Sequence, residues 1–238
     1  MKHKVSRSED ISGMLRDEIL RGQYRPTERL PSERDLVIRF ETSRGTIREA
    51  FKKLEQLGVI AIQPGGARVV PIEDCTLAIL GPLLDLDKIP DQKLVSQALE
   101  IGSVLINFAV EHAMANDGNT TVSEARAIVK EILDADIEEI RAVMGPPRLI
   151  EVFAKNAGHL VLKLMINSLR SDVVTRLQTM GLQPKKNSHL LQQFAKNLKQ
   201  FAKNLDGALI SHDSKKINLV MQDWLKFTRD NLGRRYGK

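Results

Sequence analysis

Within the first 70 residues, three helical patterns are followed closely by a hairpin pattern with a glycine-rich tip. A buried stripe runs from Ile11 to Leu20, and the segments 32–40 and 43–57 both begin at a serine that is suited to cap a helix. A strand-like run, the turn Pro64-Gly65-Gly66 and a returning strand-like run follow at 59–70. Two short helices with a tight break between them and a hairpin behind them predict a winged helix-turn-helix.

The beginning of the third helix indicates what this unit binds. The turn Ser43-Arg44-Gly45-Thr46 combines small residues with a guanidinium, and Arg48 lies one turn later. Free amides at a helix N-terminus bind phosphate, and either arginine can read a guanine edge in the major groove. Arg34 is placed to touch the DNA backbone, and the wing tip is narrow enough for a minor groove. The alternative is that Arg44 and Arg48 only solvate an exposed helix face.

Four motifs together resemble the DNA-binding domain of GntR-superfamily bacterial transcription factors. They are Leu30-Pro31-Ser32-Glu33-Arg34-Asp35-Leu36, Ser43-Arg44-Gly45-Thr46-Ile47-Arg48-Glu49-Ala50, Leu57-Gly58 and Ile62-Gln63-Pro64-Gly65-Gly66. The resemblance covers residues 8–70 and implies that eight residues contact DNA: Arg34, Ser43, Arg44, Gly45, Thr46, Arg48, Gly65 and Gly66. Pro64 departs from the family, whose members more often carry a polar or basic residue there that can donate to DNA.

The remaining two thirds of the chain has the pattern of a helical bundle. Helices are expected at 93–115, 121–133, 137–144, 149–156, 160–177 and 214–232, with interruptions at Gly145-Pro146-Pro147 and at 181–184. Residues 193–198 repeat as 200–205, and this seven-residue period places Phe194, Leu198, Phe201 and Leu205 on one seam. The predicted fold is mainly α, with a winged helix-turn-helix at 1–71, a linker and first bundle segment at 72–90 and an all-α bundle at 91–238.

An all-α domain behind such a head resembles the FadR-type branch of the superfamily, with its FCD-like helical domain, and Ala157 to Leu162 is the local anchor. This resemblance implies that residues 91–238 dimerise and bind an effector. Many members of the branch hold a divalent metal through one Asp and three His. Alignment places those four ligands at Pro146, Ile150, Ala202 and Trp224, none of which can bind a metal. We therefore expect no metal and no other cofactor.

An unusually apolar cavity in this bundle would suit an acyl or other carboxylate metabolite, as in metal-free fatty-acid-responsive members. The polar residues on or near the apolar stripes that we consider as effector ligands are Glu100, Asn107, Arg170 and Asn197. The alternatives are that they form helix-pair hydrogen bonds and that the core is filled, without a small ligand. His159 is expected to cap or bridge a helix junction.

Charge and cysteine content indicate which partners and which cellular compartment suit this chain. The net charge of +6 is concentrated at residues 184–238, which carry 12 basic and 4 acidic side chains. This excess is either a solvated helix face or a sequence-independent contribution to polyanion binding. The single cysteine, Cys75, excludes an internal disulfide and suits a reducing cytoplasm. No long apolar run indicates a membrane segment, so no membrane partner is expected.

An enzyme is not expected, because the chain contains no phosphate-binding loop, no nucleophile elbow and no zinc-protease motif. The sequence predicts a homodimeric, sequence-specific DNA-binding transcriptional regulator of a palindromic operator, with repression favoured over activation. The alternative is a non-enzymatic module in which the bundle binds a partner protein and DNA binding is weak.

Overall fold

A computed structural model describes residues 6–87, 91–137, 139–141, 145–170 and 189–236. The chain divides into two compact units, Met1–Lys88 and Ile89–Lys238. The first unit combines helices with a two-stranded sheet, and the described part of the second is helical. The predicted fold class, a winged helix-turn-helix followed by an all-α bundle, is confirmed.

The N-terminal unit contains helices α1 (Arg7–Leu20), α2 (Glu33–Arg39) and α3 (Arg44–Leu57), followed by strands β1 (Ile60–Gln63) and β2 (Gly66–Val69). The strands are antiparallel, with Ile60 opposite Val69 and Gln63 opposite Gly66. One face of each helix packs into a common aliphatic core. The fully buried side chains of that core include Ile11, Leu15, Leu36, Ile47 and Leu54.

Local hydrogen bonds explain where these helices begin and end. Ser32 caps α2 in a capping box with Asp35, and Ser43 caps α3, as the sequence predicted. Gly58 ends α3 with a left-handed backbone, φ 83°, which glycine adopts without strain. The N-cap of α1 is Ser6, whose hydroxyl accepts a hydrogen bond from the Glu9 amide.

Residues 72–86 differ from their expected role as a linker and first bundle segment. Two 3-10 turns lead to helix α4 (Leu80–Asp85), and this stretch belongs to the N-terminal unit. Ile79, Leu83 and Leu86 pack against the core of that unit. Arg21 also holds this segment in place, because its guanidinium donates hydrogen bonds to the Leu86 carbonyl and to the Asp87 carboxylate. Ile79, Leu83 and Leu86 therefore extend the core of the N-terminal unit.

The second unit contains α5 (Gln92–Asp134), α6 (Gly145–Asn156), α7 (Leu160–Leu169), α8 (His189–Ile210) and α9 (Ser214–Tyr236). Its core is mostly aliphatic, with the buried rings of Phe153 and Phe201. The predicted seam of α8 is confirmed: Leu198, Phe201 and Leu205 are buried, and Phe194 packs partly buried beside them. The end of the expected helix at 160–177 and the expected break at 181–184 lie outside the described residues.

Helix α5 is long but not continuous. Asp117 leaves helical geometry, with φ −151° and ψ 78°, so the expected break near this residue occurs as a kink. The Asp117 carboxylate caps the second half by accepting a hydrogen bond from the Thr120 amide at 3.0 Å. By length and composition alone, α5 is the one helix among the described residues that could cross a membrane, a test that core helices of soluble proteins also pass.

Two expected boundaries in the bundle are wrong. Helix α6 begins at Gly145, although the glycine and two prolines were expected to interrupt the chain. Proline is tolerated in a first helical turn because that turn has no intrahelical partner for its N–H groups. In place of a helix over 137–144, the described residues show a 3-10 turn, Glu139–Arg141.

Candidate nucleic-acid interface

The first turn of α3 presents an exposed guanidinium beside capped backbone. Ser43 Oγ accepts a hydrogen bond from the Thr46 amide at 3.2 Å and lies 2.9 Å from Thr46 Oγ1. Arg44 is exposed and, within the described part of the chain, has neither a hydrogen-bonding nor an ionic partner for its side chain. The amides of Arg44 and Gly45 precede the first intrahelical bond. This turn therefore offers a free cation and free donors to an anion.

The backbone at Gly45 is open to solvent. A Cβ atom at this position would meet only Ser43 Oγ, at 3.7 Å, which is an ordinary contact. Packing within the protein therefore does not demand a glycine here. The lack of a side chain instead leaves room for a ligand to approach the first turn of α3.

The other predicted base-reading residue, Arg48, is already paired. Its Nε donates to both carboxylate oxygens of Glu33, at 3.0 and 3.1 Å, and its side chain remains 66% exposed. The pair links α3 to the first turn of α2, where Arg34 projects into solvent. Arg34, Arg44 and Arg48 all come from the two helices of the helix-turn-helix and are exposed, as residues that contact DNA must be.

Helix α2 is held against α1 by a polar cluster. The Arg39 guanidinium forms an ion pair with Glu18 and donates to Tyr24 Oη. Its hydrogen bond to Glu18 raises the pKa of Arg39, and burial followed by the Glu18 charge raises the pKa of Tyr24. Arg7 donates to the Phe40 carbonyl at 2.9 Å, so the turn between α2 and α3 is fastened from a second side.

The tip of the hairpin contains two glycines, and the backbone conformation at each of them favours glycine. Gly65 and Gly66 have φ values of 100° and 125°, which side-chain-bearing residues rarely adopt. Gly65 faces open space, whereas a Cβ on Gly66 would lie 2.7 Å from Arg29 Nε. Gly66 therefore provides the space in which the Arg29 guanidinium lies. Pro64 is exposed at the same tip and has no amide hydrogen to donate.

Arg29 and Arg68 are wing residues that sequence reasoning missed. The segment 27–30 runs beside β2 and forms backbone hydrogen bonds with it. Thr27 N donates to the Val69 carbonyl, Val69 N to the Glu28 carbonyl and Leu30 N to the Ala67 carbonyl. An isolated bridge sets Arg29 opposite Arg68. The only available signal was the alternation of exposed Arg68 with buried Ala67 and Val69 along β2.

The folded unit, its basic helix start and its glycine-tipped wing define a winged helix-turn-helix DNA-binding domain. Residues 7–70 match the family described as "Bacterial regulatory proteins, gntR family". This stretch of the chain is a GntR-family DNA-binding domain, so the family expected from the sequence is confirmed. The class that this stretch defines is that of DNA-binding domains of bacterial regulatory proteins.

Curated relatives carry the same kind of name. The Uxu operon transcriptional regulator of Escherichia coli is 35% identical over 57 residues, which are 24% of this chain and 22% of the relative. The HTH-type transcriptional regulator Mce2R of Mycobacterium tuberculosis is 27% identical over 170 residues, or 68% of each chain. The first three relatives are matched over only 22–26% of their own length.

A solved structure resembles this protein along almost its whole length. The structure of Lar, which controls the expression of the Listeria monocytogenes agr system, has a TM-score of 0.54 at 14% sequence identity. The match covers 95% of this chain and 96% of that one. At this identity the likeness concerns the fold alone.

The four residues considered as effector ligands do not converge on one site. Glu100 is exposed, hydrogen-bonded to Ser96 and 3.6 Å from Arg229, and Asn197 accepts a hydrogen bond from Gln193 one turn earlier. Asn107 lies beside Asn218, whose amide donates to the Asn107 carbonyl at 3.4 Å. Glu100 and Asn197 each pair with a neighbour at the surface, and neither lines the apolar cavity described next.

Arg170 alone of the four lines an apolar cavity. The cavity has a volume of about 60 Å³ and is walled by α5, α6, α7 and α9 through residues such as Leu99, Ile106, Ile150, Ile166 and Leu225. Arg170 pairs with Glu151 through Nη1, but its Nε is buried and has no hydrogen-bond partner among the described residues. A buried N–H of a guanidinium without an acceptor is costly, and a carboxylate oxygen would satisfy it.

The metal that the FadR-type branch often holds does not fit this chain. Pro146 and Ile150 lie on α6, Ala202 on α8 and Trp224 on α9, and none of these side chains offers a lone pair to a cation. Among the described residues there is no group of three or more His, Cys, Asp or Glu that could hold a metal ion. His159 instead caps α7: its Nδ1 accepts a hydrogen bond from the Leu162 amide at 3.2 Å.

Proposed function

We propose that this protein is a sequence-specific, DNA-binding transcriptional regulator that acts in the cytoplasm as a homodimer on a palindromic operator. The observation that carries the proposal is the exposed Arg44 at the capped start of α3, inside a domain that matches the gntR family. In a helix-turn-helix, residues at this end of the second helix contact base edges in the major groove. Repression follows when the occupied operator overlaps a promoter.

An exposed apolar surface on α5 and α7 supports dimerisation. Ile101, Val104 and Phe108 recur on one face of α5, and the exposed fractions of Val104 and Leu164 are 62% and 58%. Leu160, Val161 and Met165 on α7 are also exposed, and the rings of Phe108 and His159 meet edge to face at 5.7 Å. A large exposed apolar patch of this kind favours a protein contact, and we assign it to a second copy of the chain.

A gel-shift titration tests the proposal against the alternative of a protein-binding module. The wild-type chain is expected to retard a duplex from upstream of its own gene in the presence of excess competitor DNA. Arg44→Ala should abolish this preference while leaving the melting temperature nearly unchanged, because the exposed Arg44 side chain has no hydrogen-bonding or ionic partner among the described residues. Equal binding of wild-type protein to target and competitor would contradict sequence-specific regulation.

The cavity at Arg170 favours a second activity, the binding of an apolar carboxylate as effector. About 150 Å³ is needed to hold a benzene ring, so a cavity of about 60 Å³ encloses only a few carbon atoms. The ligand would place its carboxylate on Arg170 Nε and its short chain among the isoleucines and leucines. Coupling to DNA requires that it bind the DNA-competent and incompetent arrangements with different affinity.

Thermal shift with propanoate and butanoate tests the effector site, with butanol as the uncharged control. Because a ligand of the native state stabilises it by mass action, the carboxylates should raise the melting temperature and butanol should not. Arg170→Gln should remove the shift. Arg148→Gln is the matched control, since Arg148 also pairs with a glutamate, Glu131, on a helix surface. An equal shift in Arg170→Gln would rule out the assigned anchor.

A further inference from the structure

The two arginines that face each other on the wing have no acidic partner in the part of the chain that the structure describes. Arg29 and Arg68 form an antiparallel bridge, and directly opposed residues of such a pair project from the same face of a sheet. Both side chains are exposed, whereas Leu30, Ala67 and Val69 point to the core on the opposite face. Like charges opposite one another destabilise a sheet, so this arrangement needs an explanation outside the folded chain.

Each guanidinium is nevertheless held in place. Arg68 Nη1 donates to the Thr27 carbonyl at 3.0 Å, and Thr27 adopts a left-handed backbone, φ 65°, which a β-branched residue rarely does. The Arg29 guanidinium lies over Gly66, and a Cβ at that position, 2.7 Å from Arg29 Nε, would require the guanidinium to move. Glu28 is the nearest acidic residue in sequence, and its carboxylate accepts from the Arg25 amide at 2.7 Å. Within the described residues, no ion pair neutralises Arg29 or Arg68.

We propose that Arg29 and Arg68 form a phosphate-binding pair that anchors the wing to the sugar–phosphate backbone of duplex DNA. The proposal rests on the proposed function only in taking DNA as the ligand. A phosphate has the charge and the acceptor oxygens that an exposed guanidinium without an acidic partner can bind. The two arginines also supply the hydrogen-bond donors that Pro64 cannot offer at the wing tip. The glycine at position 66 leaves the space in which the Arg29 guanidinium lies.

The measurement is the salt dependence of binding to a non-specific duplex and to the preferred one. Each lost phosphate contact reduces the slope of log K against log salt by about 0.9, which at about 0.15 M salt is an affinity loss of about fivefold. Arg29→Gln and Arg68→Gln should each show this loss on both duplexes, and the double variant about 25- to 30-fold. The ratio of specific to non-specific affinity should stay constant, because phosphates carry no sequence information.

Charge-preserving and distant variants complete the test. Arg29→Lys and Arg68→Lys should keep the wild-type slope, and Lys93→Gln, which removes one exposed charge from the second unit, should leave it unchanged. Unaltered slopes in Arg29→Gln and Arg68→Gln would overturn the proposal, as would a fallen specificity ratio at constant slope. A wild-type chain without sequence preference would defeat the proposed function alone, because the slopes on non-specific DNA would still decide the role of the two arginines.

Discussion

Gly45 lies in the first turn of α3, where the demands of helix stability and of ligand approach differ. Alanine is normally preferred to glycine within a helix, by about 0.5–1 kcal/mol, because glycine loses more backbone entropy on folding. The space around Gly45 would accept a Cβ, since its nearest neighbour would be Ser43 Oγ at 3.7 Å. The glycine is therefore explained by what approaches the helix from outside.

We predict that Gly45→Ala keeps or slightly raises the melting temperature but weakens specific DNA binding by at least tenfold. The matched control is Gly13→Ala in α1, where a Cβ would meet nothing within 4 Å. That variant should also gain stability and should bind DNA like the wild type. Thermal unfolding and gel shift on the same preparations measure both quantities. A loss of stability in Gly45→Ala would show that the glycine serves the fold.

Some properties of individual residues could not be predicted from periodicity and motifs. Arg44 and Arg48 were equivalent from the sequence, since both lie near the start of α3, yet Arg48 shares its charge with Glu33 and Arg44 does not. The opposition of Arg29 and Arg68 depends on the left-handed backbone of Thr27, a conformation that its sequence does not signal. In contrast, the caps at Ser32, Ser43 and Gly58 were predictable, because capping depends on local hydrogen bonds alone.

At the scale of elements, α5 is two helices joined by a capped kink. Asp117 leaves helical geometry and accepts a hydrogen bond from the Thr120 amide, while the Thr121 hydroxyl donates to the Asp117 and Ala113 carbonyls. The hydrogen bonds from Thr120 lower the pKa of Asp117. The second helix therefore has its own start signal, and the break was predictable from Asn116-Asp117-Gly118-Asn119.

Replacing this cap should destabilise the bundle in a way that depends on the acceptor. Asp117→Ala is expected to lower the melting temperature by about 2–4 °C, as the loss of an N-cap does in a chain of this size. Asp117→Asn keeps an acceptor oxygen and should retain most of the stability at neutral pH. If both variants melt at the wild-type temperature, the Asp117 side-chain cap contributes nothing to the stability of the fold.

The pH dependence follows from the direction of the pKa shift. Because the folded-state pKa of Asp117 is lowered, its contribution is present above the ordinary carboxyl value near 4 and is lost as the pH falls through the folded-state value. The advantage of the wild type over Asp117→Asn should therefore shrink as the pH falls below about 4. Melting temperatures across this range, with both proteins in the same buffers, provide the measurement.

At the scale of the whole molecule, sequence patterns predicted which regions are helical better than which unit each region joins. An apolar run through Leu84 is visible in the sequence, but an apolar side chain does not specify its partner, and Ile79, Leu83 and Leu86 pack with the core of the N-terminal unit. The effector residues show the same limit. Polar positions near an apolar stripe were visible in the sequence, whereas only the fold reveals that Arg170 alone lines the cavity.

The oligomeric state gives the final prediction. A stable protein interface buries about 1,600 Å² in total, and the face made by Ile101, Val104, Phe108, Leu160 and Leu164 provides exposed apolar side chains for one. Val104→Asp and Leu164→Asp should change the molar mass in solution from twice 26.7 kDa to 26.7 kDa, because a carboxylate would lose its hydration in the contact. Multi-angle light scattering after size exclusion measures this change directly.

Leu219→Asp on α9 is the matched control, since Leu219 is 59% exposed, close to the 62% of Val104, and lies outside the proposed face. It should remain a dimer. Because all three residues are exposed, none of the substitutions creates a core cavity, and thermal unfolding should confirm that each variant is folded.

The monomeric variants should also bind a palindromic duplex more weakly than the control, because two linked DNA-binding domains bind with a higher effective concentration than two separate ones. A Val104→Asp protein that remains dimeric would place the interface elsewhere on the chain.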